Sequence, residues 1–430
     1  MTKEKFITST IILMIGGLLT KVLGMIIKII MARLMSTEGI GLYMLILPTF
    51  SLFIGLAQFG FPVAVSKLVA EDNKNNKNLI FSIIPVSLLI NITIIFFLLF
   101  SSSYLANNLL HESRCYYPLM AVAIVLPLTS LSGILRSYFF GKQNMLPHVV
   151  SNVTEDIIRL LLIILGVPFF IKYGLEIAVT FVILTNIISE LSSIIVLFFF
   201  LPKKFKIEKK DLALNSSYLK DALSISIPST SGRLIGSIGY FLEPILLTNG
   251  LLMAGYSNQF IITEYGVLSG YVMPLLLLPS FFTSAISQAL LPIVSKSYSK
   301  NQKQYTKNKI KQAIFICLLI GIPVTIFFEL FPTLPLKIIY NTTQGVNYIR
   351  ILAPICLFQY IQAPLSASLD AMGKSSCNMK ATLVGMIFRT ILLYTTSLLK
   401  IGMYSLVIAT LANVLFVTFY SLKKVIKYLK

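Results

Sequence analysis

Gly17-Leu18-Leu19-Thr20-Lys21-Val22-Leu23-Gly24-Met25-Ile26-Ile27-Lys28 is the stretch from which the rest of the chain can be read. Its glycines and lysines are spaced by 4, 3 and 4 residues. At about 100° per residue, that spacing keeps them within an arc of roughly 60° on one helix face. The other positions are apolar apart from Thr20. A lysine near the centre of a bilayer costs about 2.5–3.5 kcal/mol on insertion scales. Two lysines on a glycine stripe therefore point to a face turned toward other helices or a wet cavity. Lys21 and Lys28 are candidate substrate-binding cations on that face. For Lys28 and for Arg33, nearer the outer end of the helix, snorkelling to the membrane surface is the alternative. It fits Lys21 poorly, because about 13 residues at 1.5 Å each place it roughly 20 Å from that end.

Composition agrees with a membrane setting. The chain has 430 residues, 56% hydrophobic and 12% charged, with no Trp, against about 25% charged for a soluble domain. It reads as an all-α, polytopic membrane protein. The net charge of +20 comes from lysines and arginines in short segments between apolar runs. That is a topology signal and not a nucleic-acid surface. Cys115, Cys317, Cys356 and Cys377 are scattered and match no metal or redox spacing. His111 and His148 fall in expected loops, and no metal site or cofactor is expected. The N-terminus, Met1-Thr2-Lys3-Glu4-Lys5, leads into an apolar run too long for a signal peptide and without a small-residue cleavage site, so a retained helix is expected.

With about 20 residues needed to span, apolar runs give twelve expected helices: 6–34, 39–69, 79–103, 116–140, 149–171, 175–201, 221–249, 260–294, 308–331, 347–371, 379–399 and 402–422. Kinks are expected where Pro48, Pro62, Pro274, Pro279 and Pro292 interrupt the second and eighth. Starting inside, 24 of the 36 basic residues fall at one side, while only Arg114, Lys172, Lys337 and Lys400 fall in the opposite loops. That asymmetry places both termini in the cytoplasm. The Lys-rich linker 202–220 splits the chain into six-helix bundles at 1–201 and 221–430.

The halves resemble each other. Thr37-Glu38-Gly39 recurs as Thr263-Glu264-Tyr265-Gly266, Leu47-Pro48-Thr49-Phe50 as Leu278-Pro279-Ser280-Phe281, and Val65-Ser66-Lys67 as Val294-Ser295-Lys296. Gly141-Lys142 recurs as Gly373-Lys374, and Arg159 as Arg389. Six helices per half make this a parallel repeat, with a substrate site expected between the halves. The stripe recurs as Gly232, Gly236, Gly239 and Glu243, beside Arg233. Lys28 and Glu243 thus become pseudo-symmetric partners of opposite sign. Arg233 and Glu243 join the candidate substrate-binding residues, and Arg136 and Asp370, at matching helix ends, become a candidate gating pair. Solvation of each charge at its own helix end is the alternative. Glu38 and Glu264 both read as acids at helix starts. Glu155 can pair with Arg159 four residues on. Arg389 has no partner in its own helix.

Residues 16–71, with Leu135-Arg136-Ser137-Tyr138-Phe139-Phe140-Gly141-Lys142-Gln143-Asn144-Met145 and Thr154-Glu155-Asp156-Ile157-Ile158-Arg159, resemble the polysaccharide-biosynthesis flippases. These belong to the multidrug/oligosaccharidyl-lipid/polysaccharide exporter superfamily. The resemblance covers most of the first half closely and the second half more loosely. It implies the fold of MATE transporters and lipid II flippases, with two bundles around a cavity, in a bacterial cytoplasmic membrane. It also implies a monomer that moves a lipid-linked anionic glycan between leaflets among membrane lipids. Cationic cavity residues on the first helix, here Lys21, Lys28 and Arg33, would meet the pyrophosphate. Close relatives commonly continue to fourteen helices, whereas this chain ends after twelve expected ones, which weakens the case for lipid II itself. A MATE-type cation-coupled multidrug antiporter is the alternative; it would want unpaired cavity carboxylates. A polytopic enzyme would need a catalytic constellation outside the membrane, and the outer loops 101–117 and 332–346 carry no acid pair or His cluster.

Overall fold

The computed structural model describes residues 3–71, 75–201 and 214–429, so most of the basic linker lies outside the described residues. Two compact units, Met1–Phe241 and Leu242–Lys430, make up the chain. The first holds α1 (Lys3–Leu34), α2 (Thr37–Gln58), α3 (Phe61–Ala70), α4 (Asn76–Tyr104), α5 (Tyr116–Gly141), α6 (Met145–Phe170), α7 (Leu175–Phe199) and the start of α8 (Ser216–Met253). The second holds the rest of α8, α9 (Asn258–Tyr265), α10 (Met273–Leu276), α11 (Ser280–Ser299), α12 (Lys303–Leu330), α13 (Thr333–Tyr340), α14 (Val346–Ala371), α15 (Ser375–Ser397) and α16 (Tyr404–Leu429). Among the described residues, nine helices are long and apolar enough to cross a membrane, or ten if the pair α9–α10 and α11, bent by 51°, is one span. The expected segments that fall short are α6 and α15, because Glu155, Asp156 and Arg159 interrupt one and Lys380 and Arg389 the other.

The units part inside α8 and not at the linker. The first turns of α8 belong to the first unit's core, where Ala222 packs with Phe61, Val65, Ile83 and Ile134. Backbone groups are tied there as well: Asn215 N–H donates to Ser82 Oγ at 3.0 Å, and Asn75 N–H to the Tyr218 hydroxyl at 3.4 Å. In the first unit α5 is the central helix, packed against α2, α3, α4 and α7, while α6 joins α1 to α7. In the second unit α14 takes that place among α11, α12 and α16.

The second expected helix is two helices. Phe59 and Gly60 both take left-handed backbone (φ 45° and 63°) and separate α2 from α3, with Pro62 in the first turn of α3. Glycine is required at 60: a Cβ there would lie 2.6 Å from the Ser226 carbonyl oxygen of α8. Ending α2 releases carbonyls that lipid cannot satisfy. Polar side chains of neighbouring helices satisfy the Ala57 carbonyl, with Asn91 Nδ2 of α4 at 3.1 Å and Ser130 Oγ of α5 at 3.0 Å. The second unit solves the same problem at its own break, where the buried Tyr360 hydroxyl of α14 donates to the Leu276 carbonyl at 2.5 Å.

Two outer-loop expectations are revised. The loop expected at 332–346 contains α13. Glu264 is not a helix-start acid, because α9 begins earlier, capped by the Ser257 side chain on Phe260 N–H (3.3 Å), and Glu264 near its other end accepts from the Tyr348 hydroxyl. Glu38 does sit in the first turn of α2, where Ser36 is the cap, and Arg114 binds it at 2.8 Å.

Candidate functional site

The stripe on α1 is open on the side that carries it. A Cβ at Gly17 or Gly24 would meet nothing within 4 Å, whereas one at Gly16 would lie 2.4 Å from Val149 of α6. The helix therefore packs against α6 on another face and leaves the glycine positions of the stripe open. Gly24 and Lys28 line a cavity of about 500 Å³ within the first unit. Tyr43, Ser51 and Gln58 of α2 line it too, with Asn186 and Glu190 of α7. Glu155 and Arg159 of α6 and Arg233 and Ser237 of α8 complete its polar wall.

The carboxylates of this wall are already engaged. Glu155 and Glu190 are buried. Arg136 of α5 reaches both, pairing with Glu155 and lying 3.0 Å from Glu190, and donates to Ser193 Oγ at 2.6 Å. Arg159 holds the other oxygen of Glu155 and lies 3.5 Å from Asp156. Two half-buried arginines thus join α5, α6 and α7, although each leaves its Nε without an acceptor among the described residues. The basic groups are less spent. Among the described residues Lys28, exposed into the cavity, makes no ion pair, and Arg233 donates to Gln58 Oε1 at 3.3 Å and makes no ion pair. The wall can therefore bind an anion; its carboxylates are not arranged to capture a cation.

The other expected residues lie as follows. Lys21 is exposed on the stripe but outside the lining of this cavity, and Arg33 is exposed in the last turn of α1, where the helix dipole favours a cation. Glu243 is buried in the second unit. Its oxygens are taken by Arg389 Nη2 at 2.5 Å and by the Tyr265 hydroxyl at 3.1 Å. That supplies the counter-charge for Arg389, which also donates to Thr410 of α16 at 3.4 Å, and Glu243 joins helices within the second unit. Arg136, expected at a solvated or gating helix end, is held inside the first unit by two carboxylates, because its face of α5 is turned to Glu190 on α7. Asp370 is exposed and accepts from Asn378 at 3.3 Å. Glu155 and Arg159 do pair along one helix, as their spacing implied. Sequence reasoning missed Glu190, whose signal is a polar face on an otherwise apolar helix: Asn186, Ser189, Glu190 and Ser193 recur at three- and four-residue spacing.

The family model described as "Polysaccharide biosynthesis protein" matches residues 6–298, and the MatE model matches residues 268–395. The chain is 35% identical to Stage V sporulation protein B of Bacillus subtilis (strain 168) over 92% of this chain and 78% of that one. It is 22% identical to Lipid II flippase MurJ of the same organism, over 90% of this chain and 77% of that one. An inward-facing multidrug resistance MATE family transporter of the MOP superfamily has the same fold, with TM-score 0.75 at 16% identity and 95% coverage of both chains. These matches agree with a multi-pass membrane protein whose relatives are transporters and flippases. The chain belongs to the polysaccharide biosynthesis protein family.

Proposed function

We propose that the protein is a flippase for an undecaprenyl-pyrophosphate-linked oligosaccharide or a related cell-envelope precursor. The observation that carries this reading is the charge arrangement of the cavity. Its two buried carboxylates are consumed by Arg136 and Arg159, while Lys28 and Arg233 face the space. Such a wall attracts a pyrophosphate, and the tail can remain in lipid. Lys21 and Arg33 extend the basic path along α1. No bond is made or broken, and the halves would expose the cavity to each leaflet in turn.

Twelve spans, with both termini in the cytoplasm of a bacterial cell, are the topology that fits this role. The charge asymmetry of the loops supports that orientation. The MatE model match over residues 268–395 favours a cation-coupled multidrug antiporter as the second reading. Depleting the protein and locating lipid-linked precursors by leaflet tests the proposal. Accumulation in the inner leaflet supports it. Unchanged precursor distribution together with sensitivity to cationic drugs would favour the antiporter.

A further inference from the structure

A second cavity in the first unit is unlike the first. It has a volume of about 300 Å³ and is lined by α4, α5 and α7 at the end where α4 begins and α5 and α7 finish. By the distribution of basic residues this is the cytoplasmic end. Its wall is apolar, with Ile80, Ile84, Leu135 and Phe198 among the lining side chains, and a single lysine, Lys77, stands in the same lining. Lys77 is fixed in the first turn of α4, because the Asn75 side chain caps the helix on Lys77 N–H at 3.1 Å and Asn78 N–H at 3.4 Å. The two cavities share no lining residue, since α5 and α7 pack together between them through the Arg136–Glu190 pair.

We propose that this groove binds the hydrocarbon tail of a polyprenyl phosphate in the cytoplasmic leaflet, with Lys77 on the phosphate. The inference rests on the flippase reading, because it names a separate holding site for the carrier lipid in the cytoplasmic leaflet, before the headgroup of the substrate built on it reaches the Lys28 wall. One apolar groove with one cation matches a lipid that has one chain and one phosphate. A diacyl phospholipid would have to leave its second chain outside. Aromatic side chains, Phe81, Tyr138 and Phe198 among them, keep the groove open at little entropic cost, since each has only two rotatable side-chain bonds. The N-terminal end of α4 adds a favourable field for the phosphate beside Lys77.

The test uses the full-length protein in lipid nanodiscs and a benzophenone-bearing undecaprenyl phosphate, with cross-links mapped to peptides. Cross-links are expected in α4, α5 and α7, with phosphatidylglycerol and the neutral undecaprenol competing at least about tenfold less well than undecaprenyl phosphate. Lys77→Gln should weaken labelling about tenfold. Ile84→Trp should abolish it, and Leu201→Trp, at the margin of the groove, repeats that test if Ile84→Trp does not fold. Lys28→Ala, which alters only the other cavity, should leave labelling of the groove intact, so failure of the flippase reading and failure of the groove are separable. Cross-links outside these helices, equal competition by phosphatidylglycerol, or full labelling of a folded Trp variant would overturn the proposal.

Discussion

Removing Arg389 should destabilise the second unit more than its half-exposed position suggests. The perturbation is Arg389→Ala. Glu243 is 6% exposed, and its carboxylate has two donors, the guanidinium at 2.5 Å and the Tyr265 hydroxyl at 3.1 Å. Taking away the cation leaves a buried carboxylate with one neutral donor. Breaking a buried pair in this way costs about 3–5 kcal/mol. At about 2–4 °C per kcal/mol for a unit of this size, the unfolding midpoint should fall by roughly 6–20 °C. The protein carries its own reporters. Cys317 and Cys356 are free and buried in the second unit, and Cys115 in the first. A thermal scan with a thiol-reactive dye, with labelling sites resolved by mass spectrometry, should show the second-unit cysteines exposed early and Cys115 later. Arg389→Met with Glu243→Gln removes both charges and keeps an acceptor for Tyr265, so it should recover most of the loss. A single variant within about 1 kcal/mol of wild type, or a double variant no better than the single one, would refute the reasoning.

Other outcomes follow from the same structure. Arg136→Ala should lower the first unit's stability by about 3–5 kcal/mol, because Glu190 then loses its cation, and the drop is measurable as early labelling of Cys115. Gly60→Ala should cost at least about 2 kcal/mol, since the new Cβ meets the Ser226 carbonyl at a backbone angle that alanine disfavours. Wild-type melting of that variant would remove glycine's role at the break. Asn91→Ala should cost about 0.5–1.5 kcal/mol by removing one of the two donors to the Ala57 carbonyl, Ser130 Oγ remaining; Asn91→Ser, too short to reach, should behave alike in the same scan.

The sequence was informative wherever the signal lay within one helix. The apolar runs mark the helices, the 4, 3, 4 stripe marks an open face of α1, and the four-residue spacing of Glu155 and Arg159 gives their pair. It was silent where partners come one from each helix. Nothing in α5 alone points Arg136 at Glu190, and nothing in α15 alone points Arg389 at Glu243, because those meetings depend on helix rotation and packing. The helix breaks were partly legible. Pro48 is accommodated within α2, and the chain breaks instead at Phe59 and Gly60, where a non-glycine residue takes a left-handed conformation that no propensity marks. Glu264 misled because the repeat aligned it with Glu38, while α9 starts earlier than its counterpart.

The central claim is that a basic cavity wall moves an anionic lipid headgroup, and Lys28 tests it most directly. The measurement is transfer of a fluorescent undecaprenyl-pyrophosphate-linked sugar between leaflets of proteoliposomes, read by quenching from outside, for wild type and Lys28→Ala at equal reconstituted protein. Wild type should transfer the lipid, and the variant should lose at least about tenfold in rate, the scale of one charge-assisted contact to a phosphate. Transfer by Lys28→Ala at the wild-type rate would contradict the claim.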